Sequence, residues 1–85
     1  MSRVEHEETR EDGIRSIVYT NDGKWYCVDT ADTFDCGPET MVFPFNARTQ
    51  SCTSARELYV EHYHSMEEGY EKHREIAAAL EQFLK

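Results

Sequence analysis

The chain has 85 residues, 39% of them hydrophobic, including five Tyr, four Phe and one Trp, which indicates one small folded domain and excludes a disordered chain. Its formal net charge is −8, which argues against direct binding of nucleic acid, because phosphate groups require a basic surface. No apolar run reaches the roughly 20 residues of a membrane span. The three widely spaced cysteines, with no secretory signal ahead of them, favour reduced thiols in the cytoplasm.

Residues 1–13 form a polar segment that contains five acids and two arginines. A segment with so few apolar residues contributes little to a core, so we expect a flexible acidic N-terminal arm that ends at Gly13. Residues 14–85 then make up a single α+β domain.

A β-hairpin is predicted directly after the arm. Ile14–Tyr19 and Trp25–Val28 are rich in the β-branched and aromatic residues that favour strands. Between them, residues 20–24 contain Asn, Asp and Gly, which tolerate the backbone conformations of a tight turn. The polar residues 29–38 end in Gly-Pro and predict a connection, which is followed by a third strand over Glu39–Phe43.

A fourth strand is predicted over Glu57–His64, after a loop at residues 46–55. Its period of two places Tyr59 and Tyr63 on one face and the histidines on the other. A helix that begins at Ser54 is the alternative, since Ser54 and Glu57 fit a capping box, but the aromatic and β-branched content favours the strand.

The C-terminal segment Ser65–Phe83 predicts an amphipathic helix. Ser65 and Glu68 have the spacing of a capping box. Apolar or packed positions then recur every three or four residues, at Met66, Tyr70, His73, Ile76, Ala77, Leu80 and Phe83. Four strands followed by one such helix predict an α+β fold, in which a small antiparallel sheet has the helix packed on one face.

The chain carries two stretches, Glu39-Thr40-Met41-Val42-Phe43 and Ser65-Met66-Glu67-Glu68 with His73-Arg74-Glu75-Ile76, that resemble a family of small uncharacterised bacteriophage and prophage proteins. Members of that family carry a Glu-Thr-Met-Val-Phe-like strand, a variable loop, a second strand and a Ser/Thr-x-Glu-Glu-Ala-x-x-Gly-His-x-x-Ile helix. The resemblance covers residues 39–83, about half of the chain. The chain departs from the family pattern at Gly69, where Ala is usual, and at Lys72, where a small residue is usual. It implies a phage accessory protein in the cytoplasm of a bacterial host and specifies no reaction.

Carboxylates are dense in the middle of the chain. Asp29, Asp32 and Asp35 recur every three residues and form a patch with Asp22 and Glu39. Their spacing lacks the alternating oxygen ligands and the terminal Glu of an EF-hand. A solvated loop is one interpretation. The other is a partner-binding surface whose carboxylates occupy the phosphate-binding groove of a basic protein.

Aromatic residues are expected on the face of the sheet that the helix leaves open. Tyr59 and Tyr63, with Trp25 and Tyr26, are the candidates. Such a face would contact the N-terminal arm, a protein partner or a second copy in a homodimer.

Three histidines form a candidate metal site. His62 and His64 lie two apart on the predicted fourth strand, so both rings project from one face, and His73 on the helix could approach them. A structural His73 packed on the sheet is the alternative. Cys52 with one of the histidines is a candidate nucleophilic pair. No phosphate loop, dinucleotide fingerprint or His-Glu-x-x-His motif supports an enzyme, and no cofactor is predicted.

The sequence therefore favours a small acidic, non-enzymatic protein that binds a protein partner. From the phage resemblance, that partner is expected to be a host defence or nucleic-acid-handling protein, inhibited in one version by anti-CRISPR-like phosphate mimicry. Two alternatives stay open. One is a structural or assembly component of a phage particle that forms oligomers, and the other is a metal- or ligand-binding protein that uses His62, His64 and His73.

Overall fold

The fold is an antiparallel sheet with two helices on one face, in a computed structural model that describes residues 2–52 and 57–84. These residues form six strands and two helices: β1 (Arg3–Arg10), β2 (Gly13–Tyr19), β3 (Trp25–Thr33), β4 (Gly37–Asn46), β5 (Ser51–Cys52), β6 (Tyr59–His62), α1 (Met66–Ala78) and α2 (Leu80–Phe83). The strands β1 to β4 pair in chain order, and β4 also pairs with β6 along Glu39–Val42 and with β5 at its other end. The predicted α+β class is confirmed, with six strands where about four were expected.

The core lies between the sheet and the helices. Alternate residues of the three central strands face α1 and α2, so Val18, Val28 and Val42 are fully buried against Ile76 and Leu80. Burial of each such side chain contributes about 1.5–3 kcal/mol relative to exposure, which holds the helices on the sheet.

The helix begins where the capping box predicts. Ser65 is the N-cap residue, and its Oγ accepts a hydrogen bond from the backbone N–H of Glu68 at 3.2 Å. The Glu68 carboxylate accepts from the backbone N–H of His64 at 2.9 Å. Because α1 ends at Ala78, the prediction of one continuous helix to Phe83 is wrong.

The break between α1 and α2 is filled by the side chain of Ser2. Its Oγ donates to the carbonyl of Ala77 at 2.7 Å and accepts from the N–H of Leu80 at 2.9 Å. Ala79, between the helices, has a non-helical backbone with φ −137° and ψ 45°. Since alanine has the highest helix propensity, no local signal marks this break, and it depends on the contact with Ser2.

Residues 3–10 form a strand and not the flexible arm that their charge predicted. β1 pairs antiparallel with β2 along its whole length, with a bulge between Val4 and His6. An edge strand needs only backbone hydrogen bonds to its single neighbour, and charged side chains are typical of edge strands because they discourage further pairing. The acidic composition of this segment is therefore that of an exposed edge.

The predicted connection at residues 29–38 is also wrong, because β3 extends to Thr33 and β4 begins at Gly37. Polar side chains in these strand ends have partners across the sheet, such as Thr30 and Thr40, whose hydroxyl oxygens lie 2.5 Å apart. Buried polar groups are stable in strands when they are hydrogen-bonded in this way. The turn is reduced to the residues between the two strands.

The predicted fourth strand is confirmed in its centre, where β6 covers Tyr59–His62. The loop predicted at residues 46–55 contains β5. Ser54, the proposed cap of the alternative helix, lies outside the described residues.

Candidate protein-binding surface

One end of the sheet carries four exposed carboxylates beside an exposed aromatic ring. The β1–β2 turn contributes Glu11 and Asp12, while the end of β3 and the β3–β4 turn contribute Asp32, Phe34 and Asp35. The N–H of Asp32 donates to the carbonyl of Asp12 at 2.9 Å and joins the two segments. Phe34 is completely exposed, at 103%. We call these five residues the acidic tip.

Local hydrogen bonds fix the backbone that carries Phe34. Thr33 Oγ1 donates to the carbonyl of Gly37 at 3.0 Å and accepts from the N–H of Cys36 at 3.2 Å. Gly37 has a φ of +72°, a left-handed conformation that glycine adopts without strain. The turn therefore presents Phe34 on an ordered backbone, which reduces the entropy that binding would cost.

Asp29, a predicted partner-binding residue, is held in an ion cluster within the sheet. Its two carboxylate oxygens accept from Arg10 Nη2 at 2.7 Å and from Arg15 Nη2 at 2.8 Å. The hydrogen bond to Asp29 raises the pKa of Arg15, although partial burial opposes this. The two guanidinium groups more than offset this single carboxylate, so the cluster adds no negative potential to the acidic tip.

Two further predicted carboxylates also lie away from the acidic tip. Glu39 is 8% exposed, and its Oε1 lies 3.4 Å from Nδ1 of His62. Asp22 lies in the β2–β3 turn at the opposite end of the sheet, where it accepts from the Thr20 hydroxyl, and this bond lowers its pKa. Of the predicted set, the structure brings only Asp32 and Asp35 together at the acidic tip.

Tyr26, Tyr59 and Tyr63 lie on the helix side of the sheet, so their expected position on the open face is wrong. Tyr63 is 8% exposed, and its hydroxyl donates to Thr40 Oγ1 at 2.8 Å. Tyr59 packs edge-on against Phe83, with ring centroids 5.5 Å apart, and donates to Glu61 at 2.5 Å. The alternation along β6 was predicted correctly, but the helices cover the opposite face from the one expected.

The three predicted metal-ligating histidines are not brought together. His73 is buried between α1 and the sheet, at 1% exposure, whereas His62 lies beside Glu39 on the other face of the sheet. The side chain of His64 is fully exposed. Within residues 2–52 and 57–84, no group of three or more His, Cys, Asp or Glu side chains is arranged to hold a metal ion.

His73 instead belongs to a buried polar network. Its Nε2 lies 2.8 Å from Ser16 Oγ, and its Nδ1 lies 2.7 Å from the Thr30 hydroxyl, which contacts Thr40 and through it Tyr63. Burial lowers the pKa of His73 to about 4, so the ring is neutral at pH 7. The Ser–His distance is that of a nucleophile and its base. Both residues are at most 1% exposed, so this pair satisfies polar groups of the core and is closed to a substrate.

Cys52, the candidate nucleophile, lies on the open face of the sheet beside the buried Cys27. Burial, together with a hydrogen bond to Cys52, raises the pKa of the Cys27 thiol. The cavity beside Cys52 is lined by residues that include His6 and Arg15. The structure therefore does not bring Cys52 together with His62 or His64, and the cysteines are free thiols.

The end of the sheet opposite the acidic tip carries an apolar recess of about 580 Å³. Trp25 lines it, and the centroid of the Trp25 ring lies 4.8 Å from that of Tyr19 and 6.4 Å from that of Phe45. The apolar lining residues are Trp25, Tyr26, Pro44, Phe45, Leu58 and Leu84, and Lys24 also lines the recess. We call this recess the aromatic groove.

Sequence reasoning missed three residues of the acidic tip. Phe34 was placed in a polar connection, while Glu11 and Asp12 were assigned to the arm. A signal was present, because an aromatic residue between Asp32 and Asp35, next to a Gly-Pro turn, has few apolar neighbours with which to enter a core. The position of Glu11 and Asp12 beside that turn depends on the pairing of β1, which was not predicted.

Comparison with protein-family models, with curated proteins and with solved structures found no match to this chain. The phage resemblance therefore depends on its two sequence stretches alone. In the described part of the chain, neither helix has the length and apolar character that crossing a membrane requires.

Proposed function

We propose that this protein is a small acidic, non-enzymatic binding protein, encoded by a phage and acting in the cytoplasm of a bacterial host. It binds and inhibits a host defence or nucleic-acid-handling protein, and it contacts that partner through the acidic tip. The observation that carries the proposal is the full exposure of Phe34 among four exposed carboxylates.

An exposed Phe34 provides a source of binding energy. Burial of a Phe side chain contributes about 1.5–3 kcal/mol, and the folded protein does not gain this energy because the ring protrudes from a turn. Aromatic residues that enter a pocket at the centre of an interface are typical binding hot spots. Phe34 would therefore supply affinity, and the surrounding carboxylates would orient the partner and accelerate encounter.

The chemistry of the acidic tip defines the kind of partner. An apolar pocket is needed for Phe34, and lysine or arginine side chains around it are needed for the carboxylates of Glu11, Asp12, Asp32 and Asp35. Basic surfaces of this kind occur on proteins that bind nucleic-acid phosphates. The carboxylates would then take the place of phosphates, which is the mimicry expected from the sequence.

Affinity capture with matched variants tests the proposal. Wild-type protein and three variants, Phe34→Ser, Asp32→Asn with Asp35→Asn, and Val4→Ser, would be immobilised and exposed to bacterial extract. Val4 is the control because it is also an exposed apolar residue, at 41%, but lies on β1 outside the acidic tip. We expect one basic protein to be retained by wild type and by Val4→Ser and to be lost with both tip variants.

Titration of the purified partner then measures the contribution of each part of the tip. Phe34→Ser should weaken binding by about 10- to 100-fold, which corresponds to the burial energy of the ring. The double Asp variant should reduce the dependence of affinity on salt, because fewer charge pairs are screened. Equal binding by wild type and both tip variants would refute the acidic tip as the binding surface.

The alternative of an assembly component, including a homodimer, is favoured by one observation. The aromatic groove gives the molecule a second interaction surface, at the end of the sheet opposite the acidic tip. When the contact between copies is not symmetric, each copy needs two different surfaces, one for each neighbour, to form an assembly larger than a pair.

A further inference from the structure

The acidic tip and the aromatic groove lie at opposite ends of one β-hairpin, formed by β3 and β4. Trp25 and Phe45 line the groove near the start of β3 and the end of β4, and Phe34 stands in the turn that joins the two strands. At about 3.3 Å per residue, the strand from Trp25 to Thr33 is about 26 Å long. An apolar projection and an apolar recess are thus held apart by a single rigid element.

We propose that the aromatic groove of one copy of this chain binds Phe34 of a second copy, so that copies associate head to tail. The inference rests on the proposed function, since it uses the same acidic tip and assigns it one further partner. Self-association and binding of a host protein would compete for Phe34.

The size and lining of the groove suit this occupant. Its volume of about 580 Å³ lies within the range of about 300–1,000 Å³ that is usual for binding pockets, so the ring and part of its turn can enter. Leu58 in the lining is 47% exposed and would be covered by the ring. Pairs of aromatic rings are also favourable beyond the area they bury, and Trp25 and Phe45 are both among the lining residues.

Charge complementarity favours the acidic tip over a basic occupant. Among the described residues that line the groove, Lys24 alone is charged, and its side chain is 67% exposed. Asp32 and Asp35 flank Phe34 and would approach this ammonium group as the ring enters. Asp22, whose carboxylate lies 4.0 Å from the Lys24 ammonium, reduces the attraction but leaves the cation accessible.

The contact is not symmetric, because the projection and the recess are different surfaces at opposite ends. A contact of this type forms open chains or rings and does not stop at a symmetric pair. The interface is small and each copy has a net charge of −8, so we expect a dissociation constant on the order of 0.1–1 mM. Added salt screens both the attraction between Lys24 and the acidic tip and the repulsion between copies. Since each copy carries −8, the repulsion is the larger of the two, and salt should strengthen the association.

Mixing two variants tests the geometry directly. Phe34→Ser removes the projection and keeps the groove, whereas Leu58→Glu places a carboxylate in the groove and keeps the projection. Sedimentation velocity between about 10 µM and 1 mM should show wild type and the control Val4→Ser associating, and each variant alone as a monomer. An equimolar mixture of the two variants should form a heterodimer, because it contains one intact projection and one intact groove.

Several results would overturn the inference. Wild type that stays monomeric at about 1 mM would overturn it. A mixture of the two variants that does not form a heterodimer would also overturn it. So would either variant that associates by itself as strongly as wild type does. Thermal melts establish that each variant is folded, and Lys24→Glu, at an exposed side chain, replaces Leu58→Glu if the latter unfolds.

The same variants separate this inference from the proposed function. Leu58→Glu should abolish self-association and still capture the host partner, since it leaves the acidic tip intact. Phe34→Ser should abolish both. Capture of a partner that requires Phe34, without self-association of wild type, would refute the head-to-tail contact and leave the proposed function standing. Self-association of wild type without capture of any partner would refute the proposed function and leave the head-to-tail contact standing.

Discussion

Acidification from about pH 7 to about pH 5 should destabilise this protein through the buried ring of His73. The ring is 1% exposed, and burial lowers its pKa from the ordinary 6.5 to about 4. Between these two values the unfolded chain binds a proton on His73 and the folded protein does not. A fall in pH through this interval therefore favours the unfolded state, and stability decreases as the solution becomes more acidic.

The size of the effect follows from the two pKa values. Linkage for a single site gives a loss of about 2 kcal/mol between pH 7 and pH 5, rising to about 3 kcal/mol below pH 4. A neutral ring donates to one of the hydroxyl groups of Ser16 and Thr30 and accepts from the other, whereas a charged ring donates to both, so either form can be hydrogen-bonded. The free-energy cost of protonating His73 in the folded protein thus comes from moving the charge out of water. Attraction to Asp29 partly offsets this cost, and repulsion from Arg74 increases it.

Urea unfolding of wild type and His73→Gln at about pH 7, 6 and 5 measures this loss, because the variant has no ring to titrate at that position. Wild type should lose about 2 kcal/mol more than the variant, or roughly 8–16 °C in melting temperature. His64→Gln is the matched control, since the His64 side chain is fully exposed. Parallel pH curves for wild type and His73→Gln, or an NMR titration that places the His73 pKa near 6.5, would refute the reasoning.

Three further outcomes follow from the same packing. Gly13→Ala should unfold or severely destabilise the protein, by about 3 kcal/mol or more, because its methyl group would lie 2.0 Å from a backbone oxygen of β3; a normal melting temperature would contradict that close approach. Tyr63→Phe should cost about 1 kcal/mol in urea unfolding through loss of the hydrogen bond to Thr40, and an unchanged midpoint would show that this bond contributes nothing. Iodoacetamide should modify the exposed Cys36 in the folded protein and Cys27 only after unfolding. Cys27 is buried, and burial raises the pKa of its thiol. Modification of Cys27 before unfolding would contradict its buried position.

The elements that sequence reasoning predicted correctly are those with a strong local cause. The β2–β3 hairpin follows from residues 20–24, whose turn chemistry needs no distant partner. The start of α1 follows from the hydrogen bond between Ser65 and Glu68, which is local to the first helical turn. Hydrophobic periodicity likewise placed Ile76 and Leu80 in the core.

The parts that were wrong depend on contacts between distant residues. β1 was missed because its edge pairing requires no apolar pattern, and the helix break depends on Ser2 reaching the backbone on either side of Ala79. Tyr59 and Tyr63 show a further limit, since a period of two identifies two faces but not which face the helices cover. The acidic tip could not be assembled from sequence alone, because Asp12 and Asp32 meet only after β1, β2 and β3 have paired.

The helices that cover the sheet follow the six described strands in the chain, so they are the last of these elements to be synthesised. The hairpins of β1 to β4 join neighbours in the chain and can pair as they emerge. Until α1 and α2 are complete, Val18, Val28 and Val42 lie uncovered on one face of the sheet, an apolar surface that favours aggregation. At 5–20 residues per second, synthesis of residues 66–83 takes roughly 1–4 s. During that interval, chaperones and the repulsion between acidic edge strands must prevent the uncovered sheet from associating with other nascent chains.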